Sequence, residues 1–169
     1  MKNHVLIAGV GNIFLGDDAF GVEVARVMSA RALPEQVTIR DFGIRSFDLA
    51  YALLDDWSAV ILVDAVSRNE APGTLFVIEP DLTELAEAAE TATFDGHSMD
   101  PVTVLRLAQR LGEIRPKVYV VGCEPADLGG DEGRMGLSPE VTFAIEEAIT
   151  MIENLVQELL AKAAAPATA

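Results

Sequence analysis

Ala59-Val60-Ile61-Leu62-Val63-Asp64 is the stretch that decides the fold. An unbroken apolar run rich in β-branched residues leaves neither face of a strand for water, so it suits the middle of a parallel sheet covered by helices on both sides. It stops at Asp64. Upstream, Val5 to Val10 repeats the pattern and leads through Gly9-Val10-Gly11-Asn12 and the loop Gly16-Asp17-Asp18 into a helix with Val22, Ala25 and Met28 on one face. A shorter strand, Val37 to Asp41, follows the turn residues Leu33-Pro34-Glu35. Ser46 then starts a short helix whose buried stripe is Leu49, Leu53 and Leu54. Downstream, Ala71-Pro72-Gly73 introduces Thr74 to Ile78, too close to the third strand for a crossover helix, which predicts an antiparallel edge strand. An exposed helix is expected over Leu82 to Ala89. Asp100-Pro101 has the N-cap and first-turn residues of another helix, with Leu105, Ala108 and Leu111 buried. Val118 to Val121 is the last strand, ending in Gly122-Cys123-Glu124-Pro125. Asp127 to Gly136 reads as an exposed flexible loop, and Ser138-Pro139 starts a final helix with Val141, Ile145, Ile149, Ile152, Val156 and Leu159 inward. Strands alternating with helices predict an α/β domain with a largely parallel sheet. With no repeat and no linker, residues 1–160 are expected to form one domain and 161–169 a disordered Ala/Pro/Thr tail.

Composition removes several classes of function. At 169 residues and 50% hydrophobic content the chain has ample material for a core. Its 27 acidic against 12 basic side chains, a net charge of -15, argue against a nucleic-acid partner. The single Cys rules out a disulfide framework within the chain and every multi-cysteine metal motif, which leaves any metal to carboxylates and imidazole. The apolar run after Met1 is too short for a signal peptide, and no run reaches the roughly 20 residues that span a bilayer. A cytoplasmic protein without a membrane partner is the expectation.

Ligands in an open α/β sheet bind outside the carboxyl ends of the strands. That rule selects Asn12, Asp17 and Asp18 after the first strand, Asp41 after the second, Asp64 after the third and Glu124 after the last, with His97 in a loop before a helix. Taken singly, each reads first as a cap or turn residue rather than a ligand. Two carboxylates with one imidazole would suit a divalent first-row metal. The other His, His4, lies at a strand entrance, away from that edge. Gly9-Val10-Gly11 begins a dinucleotide fingerprint, but Phe14 stands where the third Gly belongs, which predicts that the helix cannot pack closely on the strand. The acidic residues also suggest a phospho-accepting receiver, yet Lys117 lies at the start of the last strand rather than after it. Cys123 with His97 could form a nucleophile and base, although a small thiol at a buried strand end reads first as packing.

Gly9 through Gly21, the strand end Val63-Asp64-Ala65, the His97-Ser98 segment and Gly122-Cys123-Glu124-Pro125 together resemble the [NiFe]-hydrogenase maturation endopeptidases, in order and over Val5 to Leu160. The resemblance implies a three-layer αβα fold around a twisted five-stranded sheet. It implies an endopeptidase of the aspartyl protease type that removes the C-terminal extension of a hydrogenase large-subunit precursor after nickel insertion. It further implies that Asp18, Asp64 and His97 contact the metal and take part in cleavage. The nickel is that held in the precursor, with other divalent metals able to substitute in crystals. The enzyme is expected to be a monomer. Where many members have Asp-Gly-Gly-Thr, this chain has Asp41-Phe42-Gly43-Ile44. Asp41 is the candidate general base for a metal-independent variant. The competing reading is a non-catalytic, receiver-like module that binds a metal or a basic peptide.

Overall fold

The computed structural model describes residues 3–89 and 100–165. Five strands form one sheet: β1 (Val5–Val10), β2 (Val37–Gly43), β3 (Ala59–Ala65), β4 (Leu75–Ile78) and β5 (Lys117–Cys123), in the order β2-β1-β3-β5-β4. β1 pairs in parallel with β2 and β3, and β3 with β5, while β4 runs antiparallel to β5 at the edge. The helices are α1 (Phe20–Ser29), α2 (Ser46–Ala52), α3 (Leu82–Ala89), α4 (Pro101–Leu111) and α5 (Pro139–Ala164). The expected mixed sheet is therefore present. Among the described residues, no helix is long and apolar enough to cross a membrane.

Strand side chains alternate between two cores, as the pleat requires. Val5, Ile7, Ile61 and Val63 face α1 and α5, against Phe20, Val24, Met28, Ile149 and Ile152. Leu6, Ala8, Val60 and Leu62 face α2 and α4, against Leu49, Leu53, Leu105 and Ala108. β1 and the apolar part of β3 are buried at every residue, which explains their unbroken apolar sequence. Asp100 caps α4 by accepting from the Thr103 amide, and Ser138 caps α5 by accepting from the Val141 amide; each is followed by Pro at the first helical position.

The structure corrects several sequence expectations. The close packing of α1 on the sheet is achieved without the missing third glycine of the fingerprint. Gly21 takes that part: a Cβ there would lie 2.5 Å from the Val10 carbonyl oxygen and closer still to that of Val63. The buried face of α1 is Phe20, Val24, Ala25 and Met28, with Val22 only half-buried. Leu111, expected inside, is exposed because it ends its helix. β5 is longer than expected, taking in Lys117 and Cys123 through its pairing with Ala59 and Ala65. α5 continues through Ala161–Ala164, a run of strong helix formers at its end.

Candidate active site

The strand order fixes where a site belongs. From β1 the chain moves to β2 on one side and then crosses back to β3 on the other, so the order reverses between β1 and β3. At such a point the connections leave on opposite faces and open a crevice at the carboxyl edge. Asp18 lies in the 3-10 turn Gly16–Ala19 that follows β1, and Asp64 is the penultimate residue of β3.

Asp64 is 3% exposed, and its Oδ1 is buried with no hydrogen-bond partner among the described residues. Burial pushes its carboxyl well above the ordinary range, and the nearby carboxylates of Asp18 and Asp100 add to the shift. Asp18 is half-buried. Burial raises its carboxyl also, against the opposing hydrogen bond that its Oδ2 accepts from the Asn12 amide at 2.8 Å. A buried carboxylate oxygen without a donor, beside a second carboxylate, is an arrangement that a cation would relieve. Among the described residues no group of three potential ligands gathers to hold a metal. His97, the third candidate, lies outside the described residues.

Asp17, one residue away, has a different part that the sequence did not reveal. It is fully buried and accepts four hydrogen bonds: from the Ser138 amide (2.7 Å) and hydroxyl (2.9 Å), and from the amides of Ala126 (2.8 Å) and Asp127 (2.9 Å). Burial works to raise its carboxyl, but these bonds outweigh it and hold the group below the ordinary value. The Asp17 amide donates to the Asp127 carbonyl, and Gly16 and Phe14 are tied to Arg134 by backbone bonds. The stretch from 127 to 136, expected to be a flexible loop, is thus laced to the β1 loop, with Arg134 also paired to Asp127 at 2.5 Å. Of the doubled acid, one carboxylate organises the turn and the other lies near enough to Asp64 to act on it, and no signal in the sequence says which does which.

The remaining candidates are placed as follows. Asn12 accepts from the Phe14 amide at 2.9 Å and so shapes the turn that presents Asp18. Asp41, at the end of edge strand β2, is exposed and closes its own turn by accepting from the Gly43 amide at 2.8 Å. It lines an open groove of about 510 Å³ with Arg40, Phe42, Arg45 and Tyr51, and is not among the charges that act on Asp64. Glu124 is buried and engaged by the Arg68 amide at 2.6 Å. Cys123 is buried, and burial, reinforced by Asp17 and Glu124, pushes its thiol up to about 12, which fits packing rather than nucleophilic attack. His4 lies at the opposite edge, where its carbonyl accepts from Ser58. Lys117 begins β5, so no receiver-type Lys follows that strand.

This chain matches known proteins over most of its length. A family model described as hydrogenase maturation protease matches residues 22–155, a span that contains Asp64 and His97 and begins after Asp18. The hydrogenase 2 maturation protease of Escherichia coli is 31% identical, over 92% of this chain and 92% of that protein. Among solved structures, the hydrogenase maturating endopeptidase HybD from E. coli superposes with a TM-score of 0.73 at 31% identity, covering 92% of this chain and 93% of its own. The hydrogenase 2 maturation peptidase from a Thaumarchaeota archaeon gives a TM-score of 0.66 at 29% identity, covering 91% and 98%. The switch-point crevice with its two carboxylates accordingly sits in a shared fold, and the non-catalytic module is set aside: the chain belongs to the hydrogenase maturation protease family and is a peptidase.

Proposed function

We propose that this peptidase removes the C-terminal extension of a [NiFe]-hydrogenase large-subunit precursor once nickel has been inserted, reading the bound nickel through Asp18, Asp64 and His97. The observation that supports this most is the unpartnered, buried Oδ1 of Asp64 beside the Asp18 carboxylate at the switch point. Two carboxylates without a Lys or Arg partner among the described residues bear an electrostatic cost that a substrate-borne cation would remove, so docking of a metal-loaded precursor is favoured over an empty one. His97 precedes the α4 cap Asp100 by three residues in sequence and supplies an imidazole suited to nickel. The metal, as cargo of the precursor, would polarise the bond it adjoins; this chain's residues bind and orient it. Asp41 on the edge strand is the candidate base for a route independent of the metal. A cytoplasmic, monomeric enzyme acting on a newly made precursor completes the reading.

The test is mass measurement of the large subunit after incubation with wild-type enzyme and with His97→Ala. Wild type is expected to shorten nickel-loaded precursor and leave nickel-free precursor intact, and His97→Ala to shorten neither. Equal cutting of loaded and empty precursor would end the nickel-reading proposal.

A further inference from the structure

A peptidase acts on a polypeptide, and a free sheet edge is where an α/β fold can hold extended chain through main-chain hydrogen bonds. Among the described residues β2 has one neighbour, β1, so its outer side is such an edge. It has seven residues, against four in β4 at the other edge. Its carboxyl end reaches the rim that carries Asp18 and Asp64, whereas antiparallel β4 runs away from that rim.

The ladder decides which groups are available. The Gln36 carbonyl accepts from the Val5 amide at 2.9 Å, and parallel pairing then turns the main-chain groups of Thr38 and Arg40 to β1 and those of Val37, Ile39 and Asp41 outward. Two outward groups are already used: the Val37 amide donates to the Pro34 carbonyl, and the Asp41 carbonyl accepts from the Arg45 guanidinium. Ile39, between them, has no such bond among the described residues, which leaves its N–H and C=O for a further strand.

A groove of about 510 Å³ runs beside this edge, with Arg40, Asp41 and Phe42 on the strand side and Tyr51 and Asp55 across from them. Its corner is fixed, because Arg45 pairs with Asp48 at 3.3 Å and donates to the Phe42 carbonyl at 3.2 Å. Tyr51 is 57% exposed, and Phe47, four residues earlier and so on the same side of α2, is 53% exposed and extends the aromatic surface. The groove is joined to the crevice. The Gly43 carbonyl, at the end of β2, accepts from the Gly11 amide at 3.0 Å, and the next amide, that of Asn12, donates to Asp18 at 2.8 Å.

We infer that the β2 edge and its groove hold the segment of the precursor beside the cut bond as an added strand, with Ile39 pairing to its main chain and Tyr51 receiving one of its side chains. The inference rests on the function proposed above. An extended chain seated along β2 is led past Gly43 to the turn of Asp18, which brings the bond to be cut to the two carboxylates.

Two measurements with nickel-loaded large-subunit precursor test it. The first is steady-state cleavage by wild type, Ile39→Pro, Tyr51→Ser and Phe143→Ser, the last an exposed aromatic on the helix layer across the sheet, each checked by thermal melts. Proline at an outward amide of an edge strand spares the existing ladder and removes the donor. Ile39→Pro is expected to lower kcat/KM about tenfold and Tyr51→Ser about fivefold, both mainly through KM, while Phe143→Ser matches wild type. The second is amide hydrogen exchange of wild type over residues 37–43, pulsed before the precursor is consumed, where slowing is expected. If Ile39→Pro does not fold, Tyr51→Ser and the exchange decide. Unslowed exchange, or wild-type kcat/KM in every folded edge variant, overturns the added strand and leaves the proposed function standing. Slowing that needs only more enzyme and no precursor marks pairing between two copies of this chain and overturns it as well. Failure of wild type to cut loaded precursor overturns the function, and this inference with it.

Discussion

Replacing Asp64 by Asn should make the metal-free protein more stable while destroying its activity. In the native fold the Asp64 carboxylate is 3% exposed, has an oxygen with no donor, and is repelled by Asp18 and Asp100. A buried polar group without its hydrogen bond costs about 1–3 kcal/mol. Asn keeps the shape and removes the charge that burial and Asp18 disfavour, so a gain of about 1–2 kcal/mol is expected in chelator at pH 8. For a chain of this length about 2–4 °C of melting temperature accompanies each kcal/mol, giving a rise of roughly 2–8 °C. The pH dependence has a definite sign. Because the folded-state pKa of Asp64 is raised, the native state binds the extra proton first, and stability attributable to this residue falls as pH climbs from the unfolded value to the folded one. The advantage of Asn is therefore full above the raised pKa and vanishes below about 3.8, the ordinary value. Differential scanning calorimetry of both proteins from pH 4 to pH 8 measures it. A variant that is folded but no more stable at pH 8, or an advantage that does not change with pH, refutes the reasoning.

Three other expectations concern neighbouring residues. Asp17→Ala strands four donors, two of them buried on Ser138 and two part-buried on Ala126 and Asp127, and should cost about 2–4 kcal/mol in urea unfolding; since the Asp17 pKa is lowered on folding, its contribution is present above the ordinary value near 3.8 and lost as pH falls through the folded one, so the acid limb of the stability curve should flatten in the variant. Gly21→Ala places a Cβ against the Val10 and Val63 carbonyls and should destabilise by about 1–3 kcal/mol or more, with cleavage reduced because Val63 adjoins Asp64. Cys123→Ala should cut precursor at the wild-type rate, and the native thiol, pushed up to about 12, should react with a thiol reagent at pH 8 only as fast as the protein opens.

The sequence was legible where the interactions are local or periodic. Val5–Val10 and Ala59–Val63 announced central strands because burial on both faces demands apolar residues throughout, and Asp100-Pro101 and Ser138-Pro139 announced helices because capping is decided within four residues. The rule that strand ends carry the site selected Asp18 and Asp64 together with Asn12, Asp17, Asp41 and Glu124, and only the family resemblance singled out the two. What could not be read was set by distant contacts. Asp17 meets Ala126 and Ser138, 109 and 121 residues away, and nothing in its own neighbourhood distinguishes it from Asp18. The same bonds convert a Gly-rich, acidic stretch that looks mobile into one laced at both ends. Gly21 escaped notice because its role depends on where β3 passes, which the fingerprint spacing does not encode.

The Asp17 hub has a consequence for the order in which the enzyme becomes competent. Its donors on Ser138 lie 121 residues downstream, and the cap they belong to opens a helix that ends only at Ala164. During vectorial synthesis the β1 loop therefore emerges long before anything exists to fasten it. The bonds from Ser138 that fasten the turn bearing Asp18 can form only once the start of the C-terminal helix has been made, so on the proposed function a truncated enzyme would carry Asp18 without its final setting.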